Sequence, residues 1–324
     1  MIVKKNYSNN PNRTYRTNGT ITFSDSSMSH VSHRSYKSHI TMIVTNNFLT
    51  FTLLSLLSTL LFIPGCMKLD GFLFNTEQLD SYSLPGNTIP DSLIEEVTLQ
   101  SDGNTLYGYW VASNGNRPGL TLLYCHGNKH NLDAYWNRVM VMHELGVNLF
   151  IFDYRGFGKS EGESSEEGLY KDGETALDYV LGRAEVAEDS LVIYGYSLGN
   201  VVSIYLASEI IDPLCLFAES PFAAAASLAQ GSTIIDIPHR WLTEGEYNNA
   251  ERIKKIHTPF LLFHGEDDDF IRFRDNGKIV YKNAPEPKML IVVPGADHNS
   301  VLHELGNEDY RQIILAWIEA SIPY

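Results

Sequence analysis

The chain has 324 residues, 44% hydrophobic and 19% charged, enough to bury a sizeable core in one large α/β domain or two smaller ones. Its 39 Asp and Glu against 24 Lys and Arg give a formal charge of -15, which argues against a nucleic-acid partner. Three cysteines, Cys66, Cys125 and Cys215, are too few and odd in number for a disulfide framework.

Residues 1–41 are rich in Asn, Ser, Thr, His and Tyr and lack the periodicity that would bury a core, so they read as disordered. Met28 and Met42 are alternative starts, and 1–47 as a whole is an extension. Residues 48–63, FLTFTLLSLLSTLLFI, form an uncharged apolar run. It is shorter than the roughly 20 residues of a spanning helix and matches the apolar region of a signal peptide, 48–65 with its Pro64-Gly65 ending. Ile63-Pro64-Gly65-Cys66 resembles a bacterial lipobox, which implies lipidation of Cys66. An uncleaved anchor and a plain secretory signal share the same charged-then-apolar layout. Lys4, Lys5, Arg13, Arg16, Arg34 and Lys37 precede the run against one acid, Asp25, and this favours a body held at a membrane outside the cytoplasm.

Residues 66–92, punctuated by Gly71, Pro85, Gly86 and Pro90, read as a connector lying on a domain that spans 93–324. Strands are expected at 93–100 and 106–111, paired as an antiparallel hairpin around Ser101-Asp102-Gly103-Asn104. A buried strand at 120–124 ends at Cys125-His126-Gly127-Asn128, and a helix follows over about 132–145. The strand at 147–152 empties into Asp153-Tyr154-Arg155-Gly156-Phe157-Gly158, and a second helix covers 168–181. Residues 191–194 form a strand that runs into Gly195-Tyr196-Ser197-Leu198-Gly199, after which Val201, Val202, Ile204, Tyr205 and Leu206 recur at helical spacing. A strand at 213–218 closes at Glu219-Ser220-Pro221-Phe222, and 222–258, with Trp241, is a small cap of two or three short helices over the site. Strands at 260–263 and 289–293, a helical stretch at 275–281 and an amphipathic helix at 310–320 complete the chain. Strand alternating with helix from 120 onward predicts a mostly parallel sheet covered on both faces, with ligands at the carboxyl ends of its strands. No phosphate loop and no G-x-G-x-x-G follows a strand, so nothing supports a nucleotide cofactor.

A strand that turns sharply into a helix needs residues without side chains on both sides of the bend, and Gly195 and Gly199 supply them. Ser197 is then raised on the bend as a candidate nucleophile. Gly158-Lys159-Ser160-Glu161-Gly162 fits the same short pattern, but it has no strand directly before it and only polar residues after it, so Ser160 belongs to a loop. A serine hydroxyl needs a base, and a base that becomes charged needs an anion behind it. His298 follows the last strand and is the candidate base; Asp297 beside it reads as a solvated acid. Among the acids after His264-Gly265, spacing favours Asp268 with Asp267 as the alternative, and the run lacks the alternate spacing of a calcium loop. The backbone N–H groups of Leu198 and Asn128 are candidate donors to an oxyanion, with His126 shaping the second loop. Cys125 and Cys215, in apolar runs, read as small buried hydrophobes.

These motifs together, from His126-Gly127-Asn128 through Gly195–Gly199 and Glu219-Ser220-Pro221-Phe222 to Gly295–His298, resemble the α/β-hydrolase superfamily. The likeness is to its serine aminopeptidase-like and BEM46-like branch and covers about 93 to the carboxyl terminus. It implies an eight-stranded sheet, a Ser-Asp-His triad and no cofactor. The expected activity is cleavage of small or acyl esters; a peptidase, a thioesterase and a catalytically silent binding protein of the same fold are the alternatives.

Overall fold

In the computed structural model the described residues are 73–232 and 245–322, and the side chains of 229–232 are outside the description. The extension, the apolar run at 48–63, Cys66, the start of the connector and the middle of the cap, with Trp241, therefore lie outside the described residues.

Among the described residues ten strands occur: β1 (Asn75–Thr76), β2 (Ile94–Ser101), β3 (Asn104–Val111), β4 (Thr121–Cys125), β5 (Lys129–His130), β6 (Asn148–Phe152), β7 (Leu191–Tyr196), β8 (Cys215–Glu219), β9 (Phe260–Gly265) and β10 (Lys288–Val293). Eight of them form one sheet in the order β10-β9-β8-β7-β4-β6-β3-β2, while β1 and β5 make a separate small pair. From β10 across to β6 every neighbouring pair is parallel, and only β3 against β6 and β2 against β3 are antiparallel. This is the expected mostly parallel eight-stranded sheet. The β2–β3 hairpin closes through Asp102 and Gly103, both at positive φ, which is the geometry a two-residue connection demands.

Side chains alternate across each central strand. Leu191 and Ile193 of β7 join the core on one face, and Val192, Tyr194 and Tyr196 the core on the other. Both faces must therefore be covered, and the crossover helices cover them. These are α1 (Trp136–His143), α2 (Glu166–Leu181), α3 (Gly199–Tyr205), α4 (Ala225–Ser232), α5 (Asn249–Arg252), α6 (Gly277–Asn283), α7 (Val301–Leu305) and α8 (Asn307–Ser321). Tyr310, Ile314 and Ile318 put one stripe of α8 into the second core, and Leu169, Ala176, Leu177 and Val180 put one stripe of α2 into the first. The helix expected at 132–145 begins as a tight turn over Leu132–Tyr135 capped by the Asn131 side chain, because Asn131 accepts the Asp133 N–H and tightens that first turn.

Candidate active site

The parallel strands deliver their carboxyl ends to one edge, and the expected residues meet there. β7 runs two residues beyond its apolar stretch, to Tyr196, and Ser197 then takes φ +52°, the left-handed region that a serine rarely occupies. A Cβ on Gly199 would lie 1.9 Å from Cys125 O, and one on Gly195 would lie 2.2 Å from Ser203 Oγ. The two glycines are thus required by the close approach of α3 to β4 and β7. Ser197 N–H donates to Glu219 O at 2.9 Å, and Asn200 Nδ2 donates to Ser197 O at 3.0 Å and Glu219 O at 2.9 Å, which ties the bend to the end of β8.

His298, in the loop after β10, brings Nε2 to 3.0 Å from Ser197 Oγ and Nδ1 to 2.8 Å from Asp268 Oδ2. A carboxylate can only accept, so Nδ1 carries the hydrogen and Nε2 offers its lone pair to the serine hydroxyl. Asp268 Oδ1 accepts the N–H groups of Phe270 at 3.1 Å and Ile271 at 2.7 Å, so both carboxylate oxygens are committed. Behind it lies His264, whose Nε2 donates to Ile271 O at 2.7 Å and stands 3.5 Å from Asp268 Oδ2. Burial holds the His264 pKa below its ordinary value, against the raising effects of the Ile271 carbonyl and Asp268.

Asp267 is exposed, with its N–H on Ala296 O, and Asp297 is exposed with its carboxylate on the Asn299 N–H. Neither takes part. Ser160 is fully buried: its hydroxyl donates to Asp153 O at 2.8 Å and accepts the Tyr107 N–H at 3.0 Å, a structural pattern. Cys125 and Cys215 are buried, and desolvation pushes both thiols up, which leaves them protonated and unreactive.

Leu198 occupies the N-cap of α3, where an N–H has no acceptor within the helix. Asn128 lines a cleft of about 560 Å³ together with His298, Asn75, Lys129 and Phe270. Gly127 allows the loop before it to pass close to other side chains, since a Cβ there would meet Tyr135 Oη at 2.8 Å. His126 is buried in that loop, with its ring against Tyr154 and its carbonyl accepting the Tyr154 hydroxyl at 2.9 Å.

Sequence reasoning missed several contributors. Tyr196 stacks beside the His298 ring at 5.7 Å and donates to His298 O at 3.0 Å; its place inside the glycine-flanked motif was the available signal. Phe270 edges onto His298 at 5.1 Å and is exposed in the cleft, and Glu219 forms a buried pair with Arg138 beneath the bend. Asn75 comes from a segment with no periodicity to mark it.

Against known families, the serine aminopeptidase, S33, family matches residues 116–232. The uncharacterized protein YfhR of Salmonella typhi is 34% identical over 247 residues, 70% of this chain and 82% of the relative. The α/β-hydrolase domain-containing protein aho-3 of Caenorhabditis elegans is 32% identical over 197 residues, 60% of this chain and 57% of that protein. The chain belongs to the α/β-hydrolase superfamily. Solved α/β-hydrolase folds agree. A Pyrococcus furiosus esterase superposes with a TM-score of 0.60 at 18% identity, covering 77% of this chain and 100% of its own. An acetyl xylan esterase from Paenibacillus sp. R4 gives 0.59 at 19%, covering 72% and 86%.

Proposed function

We propose that this α/β hydrolase is a serine esterase of the BEM46-like branch that cleaves carboxylic esters through an acyl-enzyme. The observation that carries the reading is the unbroken chain of contacts from Ser197 Oγ through both ring nitrogens of His298 to Asp268 Oδ2. As Ser197 Oγ attacks the ester carbonyl, its proton passes to His298 Nε2, and Asp268 holds the ring and offsets the imidazolium charge. The oxyanion formed on the carbonyl oxygen is met by the N–H groups of Leu198 and Asn128. The tetrahedral species collapses, the proton on Nε2 goes to the departing alkoxide, and an alcohol leaves. Water repeats the sequence, giving its proton to His298 and its oxygen to the acyl carbon, and Ser197 recovers its hydrogen. Only a neutral imidazole can take that proton, and His298 presents its Nε2 lone pair to the serine hydroxyl for this.

Both solved structures compared above carry the name esterase, which is in line with an ester substrate. The S33 aminopeptidase match favours a peptidase as the second reading. Purified wild type and Ser197→Ala are therefore compared on p-nitrophenyl esters, acyl thioesters and aminoacyl anilides. The expected result is ester turnover that Ser197→Ala lowers by several orders of magnitude, on the order of 10⁴-fold or more. Faster cleavage of the anilides would move the protein to the peptidase reading, and equal rates in the two proteins would withdraw the nucleophile.

We also propose a membrane tether through Cys66, outside the cytoplasm, on the strength of the apolar run before it. Cells fed an alkyne fatty acid should incorporate it in wild type and not in Cys66→Ser. Equal incorporation would remove the lipid from Cys66.

A further inference from the structure

Ahead of β2 lies a stretch that is bonded along its length to the loops after β4 and β6. β1 pairs in parallel with β5, Asn75 opposite Lys129 and Thr76 opposite His130, and β5 follows directly on His126-Gly127-Asn128. Past β1, Glu77 N–H donates to His130 O at 3.0 Å, Gly158 N–H donates to Glu77 O at 2.9 Å, and Leu79 N–H donates to Gly158 O at 2.9 Å. Gln78 Nε2 donates to Gly156 O at 2.6 Å. The segment thus laces the loop after β4 to the loop after β6.

Its far end carries Tyr82, whose hydroxyl donates to Asp153 Oδ2 at 2.6 Å and accepts the Lys159 N–H at 3.2 Å. Asp153 is wholly buried; its Oδ1 accepts the Leu132 N–H at 2.8 Å and lies 3.0 Å from His126 Nε2, out of line for a good hydrogen bond. A buried carboxylate is costly unless its lone pairs are filled, so removing any one partner makes it turn toward the others. Space around the contact is complete: a Cβ on Gly158 would fall 2.0 Å from Asp153 Oδ2 and 2.8 Å from Tyr82 Oη. Burial and the Asp153 charge together hold the Tyr82 phenol far above its ordinary value, so it remains a donor.

We propose that residues 75–82 form a positioning arm, in which Tyr82, through Asp153 and its bond to the Leu132 N–H, and β1, through β5, brace from two sides the loop after β4 that carries Asn128, an oxyanion donor of the proposed reaction. The inference rests on the serine-hydrolase reading and extends it. Tyr82 touches no reacting atom. It acts on where an oxyanion donor stands, and catalysis is sensitive to displacements well below 1 Å in such donors.

The test uses the full chain carrying Tyr82→Phe, with rates expressed per Ser197 titrated by a fluorophosphonate. An aryl trifluoromethyl ketone, which adds the serine oxygen to give a tetrahedral oxyanion, is measured beside a p-nitrophenyl ester. Loss of donor alignment lowers kcat roughly tenfold to a hundredfold and weakens the ketone by a like factor, with KM changed by less than about twofold. Per-site kcat and ketone affinity equal to wild type, even with a lower melting temperature, would make Tyr82 a support of the fold and overturn the arm. If Tyr82→Phe does not fold, Gln78→Ala, which cuts the arm from Gly156, is judged by the same two numbers. A wild type with no titratable Ser197 would remove the hydrolase reading first, and the arm's role with it.

Discussion

Ser197 and Ser160 lie in the same five-residue pattern and have opposite surroundings. The Ser197 hydroxyl faces a ring nitrogen that can take its proton; the Ser160 hydroxyl is used up by Asp153 O and the Tyr107 N–H. Ser160→Ala therefore retains most of the ester hydrolysis per folded molecule and costs about 1–3 kcal/mol of stability, because a backbone donor loses its acceptor. A fall in per-site activity of several orders of magnitude would show that the wrong serine has been chosen. Asp268→Asn tests the other end. An amide can donate to Nδ1 and stabilise the wrong tautomer, so kcat falls on the order of 10⁴-fold while labelling by substrate-like ligands persists; steady-state kinetics with unchanged kcat would contradict this. Ser197, Asp268 and His298 could be placed from the sequence because each follows the end of an apolar strand run, β7, β9 and the edge strand β10. Choosing Asp268 over Asp267 needed only its spacing from β9, and the structure gives the reason, since Asp268 is folded under the loop and Asp267 points to water. Tyr82 and Arg138 gave no such signal, because their roles depend on partners 71 and 81 positions away.

The strand–bend–helix unit is held together by contact at backbone distance, and this sets its tolerance to change. Gly199→Ala places a methyl against the Cys125 carbonyl, so α3 must withdraw from β4. The variant is expected to lose activity and melt well below wild type, and wild-type kinetics with an unchanged melting curve would refute the tight seat of α3. The loop after β9 gives a second prediction, in pH. His264 is held below its ordinary 6.5, so the unfolded chain takes up the proton before the folded one does. Its contribution to stability is complete above the ordinary value and is lost as pH falls through the lowered folded value. Between about pH 7 and pH 5 wild type should lose melting temperature more steeply than His264→Gln, and parallel slopes would exclude His264 as the source. Element existence and order were readable from periodicity, but ends were not. β7 and β9 run past their apolar residues to Tyr196 and Gly265, because ladder bonds to β8 and β10 continue where hydrophobicity stops.

At the scale of the whole molecule, the second core meets the active edge through a buried charge cluster. Arg138 grips Glu219 with two bonds, at 2.9 and 2.8 Å, and the hydroxyls of Tyr194 and Tyr310 both donate to Glu219 Oε2. Burial alone would lower the Arg138 pKa; the Glu219 charge overrides it and the guanidinium stays charged. Glu219→Gln strands that charge and is expected to cost about 3–5 kcal/mol, a drop in melting temperature on the order of 10 °C. A calorimetric shift of a degree or less would show that the pair is replaceable. The sheet order was implied by the alternation of strand and helix, whereas this cluster joins α1, β7, β8 and α8 and has no trace in local spacing. On the proposed reading, this edge activates Ser197. Wild-type protein treated with a fluorophosphonate, digested and mapped by mass spectrometry should carry the phosphonyl group on Ser197 alone, and His298→Ala should label far more slowly. An adduct on another residue, or none in folded wild type, would contradict the account.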